Sequence, residues 1–150
     1  MTAKVDYTVR AAIELADAGR DNPIKGEQIA REQRIPMKYL ENILGELKRS
    51  GLVGSQRGAD GGYWLARPAD QITVAELIRA VEGPLANVRG MRPEDVEFAG
   101  RAVPLQRMWV CVRASLRSVL EVVTVADLVA GKLPPEVDAL AEDPEAWEPH

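Results

Sequence analysis

Lys38, Glu41 and Asn42 stand three and four residues apart, interleaved with the apolar series Leu40, Ile43, Leu44 and Leu47. On a helix the apolar series turns inward and the polar trio, followed by Gly45, turns outward. Such side chains hydrogen-bond base edges: Asn pairs bidentately with adenine, Glu accepts from the cytosine amino group, and Lys donates to guanine or phosphate. The solvated face of any amphipathic helix carries similar residues, so the trio alone favours that plainer reading. A second feature shifts the balance. Arg57 and Gly58 open the run Arg57-Gly58-Ala59-Asp60-Gly61-Gly62, a turn able to put a cation and closely approaching backbone into a narrow minor groove. No Lys-Ser or Lys-Thr pair follows those glycines, which argues against a nucleotide phosphate loop. Lys4, Tyr7, Lys48 and Arg49 are candidate phosphate contacts, although each in isolation is an ordinary surface residue.

Little in the chain could perform catalysis. There is one histidine, His150, and one cysteine, Cys111, with no nucleophile elbow, Walker loop or metal-ligand spacing. We therefore expect no enzyme, no catalytic residues and no metal. A lone cysteine excludes an intrachain disulfide and agrees with a reducing compartment. Cys111 is expected to pack as a small apolar group beside Met108, Val112 and Ser115. Redox sensing is the alternative, and it requires an exposed thiol activated by Arg107 or Arg113.

The elements that must position these residues follow from periodicity. Val5, Val9, Ala12, Ile13 and Ala16 mark a first helix from about Lys4 to Ala18, closed by Gly19 and Pro23. Residues 26–33 form a short second helix without an N-cap residue, and Pro36 to Gly51 bounds the third. Strand, glycine turn and strand follow over 52–65, making a hairpin. Thr73 and Glu76 form a capping box for a fourth helix ending at Gly83-Pro84. The fold class is thus mainly α with a small β-hairpin wing: a winged helix-turn-helix over 1–83. Periodicity fades over 84–103, a loop and candidate sensor segment. From Pro104 to 131, Leu105, Met108, Trp109, Val112, Leu116, Val119 and Leu120 form an apolar stripe that needs a partner, and Thr124 starts a further short helix. Met108 and Trp109 could instead line an effector pocket, though core packing is favoured. Residues 132–150 read as an acidic, frayed tail.

Charge is divided unevenly. The net charge is −4, but residues 1–68 hold eleven Lys and Arg against nine Asp and Glu, while residues 69–150 hold eight against fourteen. The basic excess lies with the helix-turn-helix. There is no apolar run of the ~18 residues that spanning a membrane requires, and the N-terminus lacks a secretory pattern. A cytoplasmic location without membrane association is expected.

From Tyr7 to Gly83 the chain resembles the Rrf2 family of bacterial winged-helix transcription regulators. The likeness rests on Asp6-Tyr7-Thr8-Val9-Arg10 leading to Ile13-Glu14-Leu15-Ala16, on Ile29-Ala30, Ile35-Pro36 and Tyr39-Leu40-Glu41, and on Leu47 with Gly51-Leu52-Val53. It is strongest at Arg57-Gly58, Gly61-Gly62-Tyr63 and Leu65-Ala66, followed by Ile72-Thr73 and Glu82-Gly83. The resemblance implies a homodimer on a roughly palindromic operator, with the third helix in the major groove and the wing in the minor groove. By position it implies that Lys38, Glu41 and Asn42 read bases, that Arg57 is the wing arginine, and that Lys4, Tyr7, Lys48 and Arg49 touch backbone. It also makes the helix after Pro104 the dimerisation helix.

Two positions depart from the family pattern. Arg34 stands where glycine is common in the bend. Many members hold an iron–sulfur cluster on three cysteines between the fourth helix and the dimerisation helix, yet residues 85–110 contain no cysteine. Clusters take roughly four thiolate or imidazole ligands, so no cofactor is expected. The resulting reading is a DNA-binding regulator, a repressor without a cluster. A winged-helix protein-interaction module and a thiol sensor through Cys111 are the alternatives, and a small-molecule effector is left open.

Overall fold

A computed structural model describes all 150 residues. Helix α1 (Ala3–Ala18) is capped by Thr2, whose hydroxyl accepts from the Val5 amide at 3.3 Å. Its inward face is Val5, Thr8, Ala11, Ala12 and Leu15. Thr8 is the one buried polar residue, and it satisfies its hydroxyl by donating to the Lys4 carbonyl at 2.7 Å. Helix α2 (Gly26–Gln33) lacks a side-chain cap at its start. It ends at Arg34, which adopts the left-handed conformation (φ 52°, ψ 45°) and so sends the buried Ile35 back toward the core. Helix α3 (Met37–Arg49) follows and seals Leu40, Ile43, Leu44 and Leu47 in the interior.

Strands β1 (Val53–Gln56) and β2 (Gly62–Leu65) pair antiparallel, with Val53 opposite Leu65 and Gln56 opposite Gly62. Two glycines make this wing feasible. A Cβ on Gly61 would lie 2.1 Å from the Gln56 carbonyl oxygen, and one on Gly62 (φ 149°) would lie 2.6 Å from that of Ile24. The close approach at Gly62 lets Ile24 exchange hydrogen bonds with Tyr63 at 2.8 and 3.0 Å, fastening the chain before α2 to the wing.

Helix α4 (Val74–Glu82) carries the expected capping box between Thr73 and Glu76. Helix α5 (Pro104–Leu120) precedes α6 (Val125–Ala130), which repeats the device with Thr124 and Asp127. The starts of α4 and α6 are cross-linked: the Val74 amide donates to the Val123 carbonyl at 3.0 Å, and that of Val125 donates to Ile72 at 2.9 Å. Val125 is completely buried in the main core with Leu15, Ile72 and Leu77. The unit expected to close at residue 83 is therefore completed by α6, after a long excursion of the chain.

That excursion is α5 with the segment before it. Residues 84–103 contain two short 3-10 turns, 93–95 and 100–102, and Pro93 and Val96 are buried. Gln106 on α5 donates to the carbonyls of Glu94 and Val96, each at 3.0 Å. No residue of α5 is buried. Leu105, Met108 and Val112 are 38–43% exposed, whereas Val119 and Leu120 lean on a second cluster built around Val5, Ile78 and Val123.

Two expectations need correction. The 132–150 segment is not simply frayed, because Pro135–Ala141 forms helix α7 and Val137 is buried in the second cluster. Cys111 is exposed rather than packed. On α5 it lies about 200° from Arg113, which pairs with Glu94 of the preceding segment, and about 40° from Arg107, which shares its face of the helix. No helix is long and apolar enough to cross a membrane.

Candidate nucleic-acid interface

Helix α3 is held by its buried apolar stripe, which leaves Lys38, Glu41 and Asn42 exposed on its first two turns. None of the three forms an ion pair or a side-chain hydrogen bond within the chain, whereas Lys4, Arg10, Arg67 and Arg113 all do. Glu41 and Lys48 of α3 share a groove of about 410 Å³ with Arg57 and Gly58 of the wing. The Lys25 ammonium donates to the Gly58 carbonyl from the α2 side of that groove. Lys48 donates to the Ser55 hydroxyl at 2.7 Å, so it spans from α3 to β1. Arg49 and Arg57 are exposed and without an acidic partner. The groove is thus rimmed by Lys25, Lys48 and Arg57, against Glu27 and Glu41.

The backbone-contact candidates divide. Lys4 is turned to Glu46 of α3, its ammonium 2.8 and 2.9 Å from the two carboxylate oxygens. It braces α1 against α3 instead of standing free for a phosphate. Tyr7 is half-buried and meets Tyr39 edge to face, with ring centroids 6.3 Å apart. Arg10 lies 5.0 Å over the Tyr7 ring, pairs with Asp6 at 2.8 Å and donates to the Gln33 carbonyl at 2.6 Å. This cluster fixes the end of α2 against α1, just before the left-handed Arg34. Tyr39, 60% exposed, borders the polar face of α3. Sequence reasoning gave it no role, and its position one residue after Lys38 was the available signal.

The residues do not fit an iron–sulfur cluster. Cysteine and histidine are absent from 84–103, and no three His, Cys, Asp or Glu side chains converge.

Two helices at a tight bend, the second presenting a free polar face, and a cationic hairpin alongside define a winged helix-turn-helix regulator. Residues 1–131 match the Rrf2 family model, described as an iron-dependent transcriptional regulator. The chain is 43% identical over 148 residues to the HTH-type regulator Rv1287 of Mycobacterium tuberculosis strain H37Rv, covering 99% of this chain and 92% of that one. Its fold matches the structure of CymR, the global cysteine regulator of B. subtilis, with a TM-score of 0.73 at 32% identity over 88% of this chain and 97% of that one. It matches T. potens IscR with a TM-score of 0.69 at 30% identity over 100% and 92%. The chain belongs to the Rrf2 family of HTH-type transcriptional regulators.

Proposed function

We propose that this regulator binds a palindromic operator as a homodimer, without an iron–sulfur cluster, and represses transcription by occupying it. The observation that carries the reading is the free polar face of α3: Lys38, Glu41 and Asn42 are exposed without internal partners, beside a groove shared with Arg57. Asn42 and Glu41 read major-groove edges, Lys38 donates to guanine or phosphate, and Arg57 enters the flanking minor groove. Lys48, Arg49 and the Tyr7–Tyr39 pair lie toward the phosphates. Lys4 acts indirectly, by holding α1 on α3.

Dimerisation uses α5. A helix of 17 residues with none buried leaves Leu105, Met108 and Val112 in water, and covering them in a twofold contact removes that apolar surface. Trp109, Leu116, Val119 and Leu120 flank the contact. The test is selection of bound sequences from a random duplex pool, followed by footprinting. Two inverted half-sites about 34–36 Å apart, or a multiple, are expected. No enrichment, or a single half-site, would contradict the proposal. Transcription from an operator-bearing promoter is expected to fall on adding the protein, and a rise would refute repression.

A further inference from the structure

Where α4 ends and α5 passes, four guanidinium groups surround one cavity of about 490 Å³: Arg79 from α4, Arg92 from the connecting segment, and Arg113 and Arg117 from α5. Leu85, 4% exposed, is the apolar part of the wall. Only two carboxylates answer them. Glu94 pairs with Arg113, while Glu121 pairs with both Arg79 and Arg117, the latter at 3.0 Å. Arg92 has no carboxylate within ion-pair distance. The cavity therefore keeps two positive charges in surplus, within the half of the chain that is otherwise strongly acidic.

Gathering four like charges is unfavourable unless anions answer them. The two carboxylates present are already committed. Glu94 is held below the usual range by its own backbone hydrogen bond and then by Arg113, and Glu121 by hydrogen bonds from Arg79 and then Arg117. Guanidinium groups bind carboxylate and phosphate oxygens in paired, geometrically matched hydrogen bonds. The volume falls within the range of about 300–1,000 Å³ typical of small-molecule sites, which leaves room for an organic anion beyond a bare oxyanion.

We propose that this pocket binds a small organic dianion bearing carboxylate or phosphate groups. The ligand's oxygens take Arg92 and the outward N–H groups of Arg113 and Arg117, and Leu85 meets its carbon skeleton. Because the walls come from α4, packed in the DNA-reading unit, and from α5, occupancy fixes the angle between the two. The pocket takes Leu85, Arg92 and Glu94 from the 84–103 segment read above as a candidate sensor, and offers a signal input there. That regulatory role rests on the DNA-binding reading; ligand binding itself does not.

The experiment is calorimetric titration of the full chain, free of DNA, with succinate and separately with glycerol phosphate, at ionic strength held constant with sodium chloride. Saturable binding of at least one probe is expected, and which one binds assigns the class. Arg92→Gln and Arg117→Gln should each weaken it at least about tenfold, the loss expected for a charge-assisted contact. Arg107→Gln, exposed on α5 outside the pocket, should leave it unchanged. Absence of saturable binding by either probe, or equal weakening in Arg107→Gln, overturns the proposal. Since no DNA is present, either result leaves operator binding to be judged separately.

Discussion

Asn42 and Arg57 differ in what their loss should do. A side chain that reads one base pair contributes roughly 1–3 kcal/mol of discrimination, so Asn42→Ala should relax preference at one position per half-site while retaining most non-specific affinity. Arg57→Ala should weaken binding most on sites with a narrow minor groove. Quantitative binding to a panel of single-base operator variants distinguishes the two patterns, and uniform weakening in both would contradict the assignment. Arg34 invites a different test. A non-glycine residue in the left-handed region costs about 1–2 kcal/mol, and glycine relieves that cost while adding freedom to the unfolded chain. Arg34→Gly should therefore keep or raise stability, by up to about 1 kcal/mol in urea unfolding. A clear loss would show that its side chain contributes more than its backbone conformation costs.

At the scale of the element, the capping boxes set where α4 and α6 begin. Thr73→Ala should cost about 1 kcal/mol in the same assay. Glu76, on the other side of that box, is opposed by burial, but the Thr73 backbone hydrogen bond and Arg67 at 2.5 Å outweigh this and hold its carboxyl below 4.5. A depressed carboxylate stabilises the fold above its unfolded value and loses that contribution as pH falls through its folded value. Melting temperature should consequently drop below about pH 4.5, and less steeply in Glu76→Gln. These boundaries were legible because the signal is local: Thr73 with Glu76, Thr124, and the glycines that end α1, α4 and α6 lie within a turn of what they control. The polar face of α3 was legible for the same reason, since its apolar complement is periodic. Helix α7 was not, because Val137 is buried by Val5, Val74 and Ile78, residues far away in sequence. The pairing of Lys4 with Glu46 was not legible, because that partner is placed by the packing of α1 on α3. The exposure of Cys111 in the single chain was not legible, because packing was read from neighbours in sequence while no residue of α5 is buried there.

At the scale of the whole molecule, the chain combines a winged helix-turn-helix unit, completed by α6, with a long helix anchored at its C-terminal end and leaving Leu105, Met108 and Val112 exposed. Replacing Met108 and Val112 together by Asp places charge in the exposed apolar stripe; on the proposed reading the parent sediments as a dimer and this variant as a monomer at the same concentration. Helix content should persist, since neither side chain is buried in the single chain, and operator affinity should fall steeply because each half-site is then held alone. An undiminished dimer would place the interface elsewhere.

Sequence reading is proposed to lie with the free polar face of α3. It is tested most directly by titrating the selected operator and a scrambled duplex with the parent chain and with Lys38→Ala/Glu41→Ala/Asn42→Ala, across a series of salt concentrations. The parent is expected to prefer the operator, the triple variant to bind both duplexes alike, and affinity to fall as salt rises in each case. A triple variant that retains the parent's preference for the operator would contradict it.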